Sequence, residues 1–229
     1  SFTKALAKWL IRNGVDIQSH NEVNGFVFTG DKVTGAKSSH GTVEGDQFLI
    51  TTGAWAGKIL SKVGINVPLT AGKGYSLTVA SPKNQFSQPL YLGDSRVTIS
   101  PFKDAVRIGG TMEISGINTL LDHRRIEGLR RSANQYLKEP IKGKEQAWTG
   151  MRPMTPDGLP ILGKVPGLNN MYIATGHAMS GISMSLSTGS AMADVISTGK
   201  SEIDLTPFAA DRFMPHLKRK DRDQILEHY

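Results

Sequence analysis

The sequence predicts a mixed α/β chain in which a strand-rich lobe interrupts an open α/β domain. Three observations predict it. A buried strand, Gln47–Thr51, runs into Thr52-Gly53-Ala54 and a helix from about Trp55 to Val63. A second β-to-α unit lies near the carboxyl end, with Asn170–Thr175 as strand and Gly181–Ile196 as a helix rich in small residues. Between them the stretch from Tyr75 to Gly110 reads as strand-rich. A run of strands between two β-to-α units reads as an inserted lobe.

The elements follow in chain order. Phe2, Leu6, Trp9 and Leu10 recur at helical spacing, and Gly14 supplies a left-handed stop. Val15–Ile17, Gly25–Thr29, Lys32–Lys37 and Thr42–Val43 read as short strands, with Gly30-Asp31 and His40-Gly41 as hairpin turns, forming a β-meander. In the middle, Tyr75–Val79, Val97–Ser100 and Val106–Ile108 are strands. A polar helix is predicted from about Arg124 to Leu137, with Asp122 as its N-cap and Ile126, Leu129, Ala133 and Tyr136 as its apolar stripe. After Trp148 the chain reads as irregular and proline-rich.

Bulk composition narrows the function classes. Apolar residues make up 38% and charged residues 21%, which is ordinary for a globular domain. There is no cysteine, so no disulfide framework, thiolate metal site or cysteine nucleophile; no metal-ligand pattern is read. The net charge is +7. Its densest cluster, Lys218, Arg219, Lys220 and Arg222, reads as a solvated tail, with peripheral contact to an anionic membrane face as the sharper alternative. Basic residues are not interleaved with aromatics, so nucleic acid is not expected as a partner. The expected location is cytoplasmic, soluble or peripheral on the inner membrane face.

Two segments carry candidate chemistry. In Ile173-Ala174-Thr175-Gly176-His177-Ala178-Met179-Ser180-Gly181-Ile182 a strand ends in glycine and a helix is predicted to start at a second glycine. Free amides and the positive end of the helix dipole would favour an anion, or a ring that becomes anionic on reduction; a plain β-α connection is the alternative. In Trp148 to Gly163, Arg152 sits among apolar and rigid neighbours and needs an anionic partner. A guanidinium grips a carboxylate through two parallel hydrogen bonds. The alternative is an internal ion pair with Asp157 or Glu113.

Several motifs together resemble the D-amino acid oxidase-like family of flavoenzymes, on the side of its D-amino acid dehydrogenase branch. They are Thr52-Gly53-Ala54-Trp55, Gly74-Tyr75-Ser76-Leu77-Thr78-Val79, the run from Val106 to Glu113, Thr149-Gly150-Met151-Arg152-Pro153-Met154-Thr155-Pro156-Asp157-Gly158, and Thr175-Gly176-His177. The resemblance spans Phe2 to about Phe213. It implies a partial FAD-binding domain of the Rossmann-like, glutathione reductase type with a β-meander, plus a mixed-sheet substrate domain. The implied divisions are residues 1–70 and 148–200 for the cofactor domain, 71–147 for the substrate domain and 201–229 for a tail. It implies FAD as cofactor, a D-amino acid as substrate and a respiratory electron acceptor such as a quinone as partner. The implied reaction is hydride transfer from the α-carbon to flavin N5.

By position in those motifs, Arg152 corresponds to the arginine that grips the substrate carboxylate, and Tyr75, Thr98 and Met112 line the substrate pocket. Gly176, His177, Met179, Ser180, Gly181 and Ile182 lie against the flavin ring. Val23 lies toward the adenosine side, and Thr52, Gly53 and Trp55 lie where the second cofactor strand ends. The family's opening Gly-x-Gly-x-x-Gly turn is not found in residues 1–60. A complete FAD site would therefore need a further amino-terminal segment or a second chain. Two other functions fit the residues: a flavin amine oxidase acting on glycine, sarcosine, proline or hydroxyproline with oxygen, and a non-catalytic binding domain.

Overall fold

In the computed structural model, residues 2–80 and 86–213 are described. The basic cluster at 218–222 lies outside them. Among the described residues no helix is long and apolar enough to cross a membrane.

Helix α1 (Phe2–Arg12) buries none of its residues and carries Phe2, Leu6 and Trp9 exposed on its surface. The predicted strand at 15–17 is absent; that segment is extended coil, because it finds no partner strand. The meander forms as β1 (Val23–Thr29), β2 (Lys32–Ser38) and β3 (Gly41–Glu44), an antiparallel sheet in that order. Strand β4 (Phe48–Ile50) leads through a 3-10 turn into helix α2 (Ala56–Leu60).

The inserted lobe is one five-stranded sheet. Its strands are β5 (Thr70–Ala80), β6 (Leu90–Leu92), β7 (Val97–Phe102), β8 (Ala105–Glu113) and β9 (Glu145–Met154), in spatial order β6-β7-β8-β5-β9. Helix α3 (His123–Asn134) packs on one face. Asp122 caps it as predicted, its carboxylate accepting the Arg124 amide at 2.9 Å. Ile126, Leu129 and Ala133 are buried, but Tyr136 falls beyond the helix end and is exposed.

Strand β9 corrects the reading of an irregular segment after Trp148. Residues 145–154 pair antiparallel with β5, Arg152 opposite Gly72 and Pro153 opposite Ala71. Proline is tolerated there because β9 is an edge strand, where a missing N–H costs no ladder bond. The division expected between 147 and 148 thus falls inside a strand.

The chain then returns through β10 (Ile161–Lys164), β11 (Met171–Thr175) and helix α4 (Ser185–Thr198). Strand β11 sits between β10 and β4 and runs parallel to β4, Ile173 opposite Ile50. One face of this sheet packs on a core with the meander and α2, including Val33, Leu60 and Met171. The other face buries Leu162 and Tyr172 against Met192 of α4. Asn170 ties meander to sheet: its side chain accepts the Val33 amide at 2.9 Å and donates to the carbonyls of Val33 and Asp46.

Candidate active site

Strand β5 separates two kinds of surface. Its odd positions, Tyr75, Leu77 and Val79, enter the core under α3. Its even positions are small, Gly72, Gly74, Ser76 and Thr78; of these Gly74 and Ser76 line a cavity of about 1250 Å³, which also reaches Arg125, Gly128, Leu129 and Ser132 of α3. Side chains alternate across a strand, so placing small residues at period two leaves bare backbone as a trough. Arg152, Thr98, Met112, Trp148 and Met179 line this cavity. Tyr75 also borders it, although its ring lies within the core beneath α3.

Arg152 lies flat across Gly74. A Cβ at residue 74 would stand 2.0 Å from its Nη1 and 2.6 Å from its Cζ, so only glycine leaves room for the guanidinium. Among the described residues it has no ion pair or hydrogen bond with the protein. Both internal partners weighed from the sequence are occupied elsewhere. Asp157 pairs with Arg212 at 2.8 Å, and that contact holds its carboxyl down at about 2. Glu113 pairs with Lys73 at 2.5 Å and Arg125 at 2.7 Å. Hydrogen bonding from Lys73, then from Ser115, holds Glu113 down at about 2, and Lys73 is raised in turn by Glu113.

This Lys73–Glu113–Arg125 network was not anticipated. Lys73, with 3% of its surface exposed, also donates to Asn118 Oδ1 at 2.8 Å and the Leu120 carbonyl at 3.0 Å. The Tyr75 hydroxyl is buried beside it without a hydrogen bond of good geometry.

The strand-to-helix junction meets the same cavity. The Ala178 amide donates to the Pro153 carbonyl at 3.0 Å, tying the junction directly to the residue after Arg152. Ala178 itself has φ +48 and Gly176 φ +81. A Cβ at Gly176 would press within 2.9 Å of the Thr155 methyl. The helix does not begin at Gly181, as the small residues suggested, but at Ser185. Residues 178–179 and 181–184 form turns, and the Met184 N-cap has no side-chain bond. Small residues permit a close approach without demanding a helix, and here the chain turns instead.

In this segment Ser180 donates to the His177 carbonyl at 2.8 Å, whereas among the described residues the amides of Met179, Gly181, Ile182 and Ser183 donate to no backbone carbonyl. His177 Nε2 meets Thr188 Oγ1 at 3.0 Å, bracing the turns against α4, and burial lowers its pKa. Met179, Ile182 and Leu186 stand 80%, 70% and 74% exposed beside the open amides. An apolar surface edged by free N–H groups fits a flat aromatic ring with a polar rim, which is the isoalloxazine of FAD.

The parallel pairing of β4 and β11 brings two strand ends together. Thr175 Oγ1 donates to the Gly53 carbonyl at 2.9 Å, and Gly53 holds φ +55 with open space where a side chain would project. Ligands of open α/β sheets bind at the carboxyl ends of the strands. Val23, Thr52 and Trp55 line a second cavity of about 410 Å³ together with Lys58 and Lys62. Lys58 and Lys62 bring positive charge to this cavity and Glu22 brings negative charge. Among the described residues, no cluster of His, Cys, Asp and Glu could hold a metal ion.

Comparison with known proteins agrees with this geometry. The family model described as DAO, FAD dependent oxidoreductase, matches residues 1–195. D-amino acid dehydrogenase of Allorhizobium ampelinum is 33% identical over 218 residues, covering 93% of this chain and 51% of that protein. Glycine oxidase of Pseudomonas aeruginosa is 31% identical, covering 85% of this chain and 54% of that protein. The crystal structure of glycine oxidase from Bacillus cereus superposes with a TM-score of 0.78 at 30% identity, covering 90% of this chain and 57% of that one. The chain spans about half the length of the curated relatives it matches.

Proposed function

For a chain that belongs to the DAO family of FAD-dependent oxidoreductases, we propose oxidative deamination of D-amino acids to 2-oxo acids and ammonia. The observation that carries this reading is the unpaired Arg152 guanidinium in a cavity that Met179, from the strand-to-helix junction, also lines. Arg152 binds the substrate carboxylate with two parallel hydrogen bonds and so fixes which face of the α-carbon is presented. FAD, when bound, supplies the acceptor for the α-hydrogen as hydride. The free amides of Met179, Gly181, Ile182 and Ser183 offer donors to developing negative charge on the ring's polar edge. Water then hydrolyses the imino acid.

Proton handling follows from the lining. Among the described residues no Asp, Glu or His borders the large cavity. The described lining thus offers no carboxylate or imidazole base, and in this proposal the substrate reacts with its amine already neutral. In this proposal the substrate lobe is the five-stranded sheet with α3, and the cofactor lobe comprises the two smaller sheets with α4. Thr98 and Met112 wall the substrate and Tyr75 supports that wall. Val23, Thr52, Gly53 and Trp55 serve the cofactor beside Gly176, His177, Met179, Ser180, Gly181 and Ile182. Resemblance to the dehydrogenase branch supports a respiratory acceptor of the quinone class over oxygen.

The test is spectroscopic. Protein supplied with FAD should lose its flavin absorbance anaerobically on adding a D-amino acid, recover it on adding a quinone, and ignore the L-enantiomer. Flavin that stays oxidised with every D-amino acid, or reoxidises faster with oxygen than with quinone, would contradict the substrate or the acceptor respectively.

A further inference from the structure

Four arginines line the cavity, Arg96, Arg107, Arg125 and Arg152, and one that the reading above leaves unused is held in place by aromatic rings. Arg107 on β8 borders the cavity from the far end of the trough. Its Nε donates to Thr78 Oγ1 at 3.2 Å, and its guanidinium lies 5.0 Å from the Phe102 ring centre and 5.3 Å from that of Trp148. Among the described residues no carboxylate pairs with it, so its two terminal nitrogens have no anionic protein partner. Two aromatic rings and a hydroxyl fix its orientation before any ligand arrives, which reduces the ordering cost of binding. An arginine that served only to brace the sheet would be expected to have its charge compensated, as Arg125 and Arg130 do through Glu113 and Glu145.

Strand β5 gives the separation. Arg152 sits over Gly74 and Arg107 is tethered at Thr78, four residues along the same strand face. Four residues of strand span about 13 Å. A bidentate carboxylate–guanidinium contact occupies roughly 4 Å between carbon centres at each end. About 5 Å then remains, which is the reach of an extended chain from C1 to C5 at about 1.5 Å per bond.

We infer that Arg107 is a second anion anchor and that the site takes 2-amino dicarboxylic acids of five carbons. The α-carboxylate lies on Arg152, the side-chain carboxylate on Arg107, and the carbon chain over Gly74 and Ser76. This deepens the proposed deamination and rests on it for the role of Arg152.

Calorimetry with two non-reacting probes separates the two claims. Glutarate and pentanoate have the same carbon count and differ in the second carboxylate. Glutarate should bind the wild-type protein at least about tenfold more tightly, the value of one charge-assisted contact. Arg107→Gln should bring the two affinities level while leaving pentanoate unchanged, and Arg107→Lys, which keeps the charge without the fork, should retain part of the difference. Arg152→Gln should weaken both. Equal affinities in the wild type, or a glutarate advantage that survives Arg107→Gln, would overturn the second anchor. Pentanoate binding indifferent to Arg152 would overturn the carboxylate grip, and the inference with it.

Discussion

The two faces of β5 carry cations in opposite states. Lys73, enclosed in the sheet, shares Glu113 with Arg125 of α3 at the cavity margin, and Asn118 and the Leu120 carbonyl complete the shell of Lys73. Across the strand, Arg152 and Arg107 pair with no carboxylate among the described residues. The difference follows from what each face must do. A charge enclosed in a core must be compensated by the protein itself, because no other partner can reach it. A charge left uncompensated beside an open trough is compensated by whatever binds. One strand thus supports a stable core on its odd residues and a recognition surface on its even ones.

Breaking either face should give a distinct signature. The largest effect on function is expected from Arg152→Ala, which removes two charge-assisted bonds. It should lower kcat/KM by about 100-fold or more with the melting temperature little changed. Glu113→Gln attacks the other face and should do the reverse. It strands Lys73 inside the sheet and should lower the melting temperature by roughly 5–10 °C; a thermal scan of both variants would sharpen or dissolve the contrast. Gly74→Ala is the intermediate case. The three atoms nearest the new methyl belong to the movable end of Arg152, so folding should be preserved while KM rises about tenfold.

The acid side offers a further check. The folded pKa of Glu113 is depressed from 4.5 to about 2, and that of Asp157 from 3.8 to about 2. Depressed carboxylates contribute stability that is fully present above their unfolded values and is lost as pH falls toward the folded ones. Stability should therefore fall between about pH 5 and pH 2, with Glu113→Gln showing a shallower slope in denaturant titrations across that window. The smallest expected change is in the alkaline limb of activity. With no base lining the cavity, kcat/KM should rise with pH as the substrate amine deprotonates, and His177→Asn should leave that limb in place.

Much of this architecture was legible in the sequence where the signal is local. The meander's turns, the Asp122 cap and the strands feeding Gly53 and Gly176 all depend on neighbours within a few residues, and they appear where expected. Features set by distant pairing were hidden. Pro153 reads as a breaker until β5 provides an edge to lie along, and residues 15–17 lack a partner strand. The helix start moved to Ser185 because glycines and serines at 180–183 permit turns as readily as helix. Arg152 could be picked out as a cation in need of an anion, but its freedom could not. That depends on Arg212, 60 positions further along, taking Asp157, and on Lys73 and Arg125 taking Glu113. One signal for the trough was present and unused: small residues at 72, 74 and 76 alternating with large ones.

The central claim is that Arg152 lies open to receive a carboxylate beside the 175–182 junction. The most direct measurement is a crystal structure of the protein with FAD and a small unreactive carboxylate. The predicted result is a carboxylate held by both terminal nitrogens of Arg152 above Gly74, with the ring lying along Met179 to Ile182. A guanidinium turned instead onto Asp157 or Glu113, with the carboxylate bound elsewhere, would contradict it.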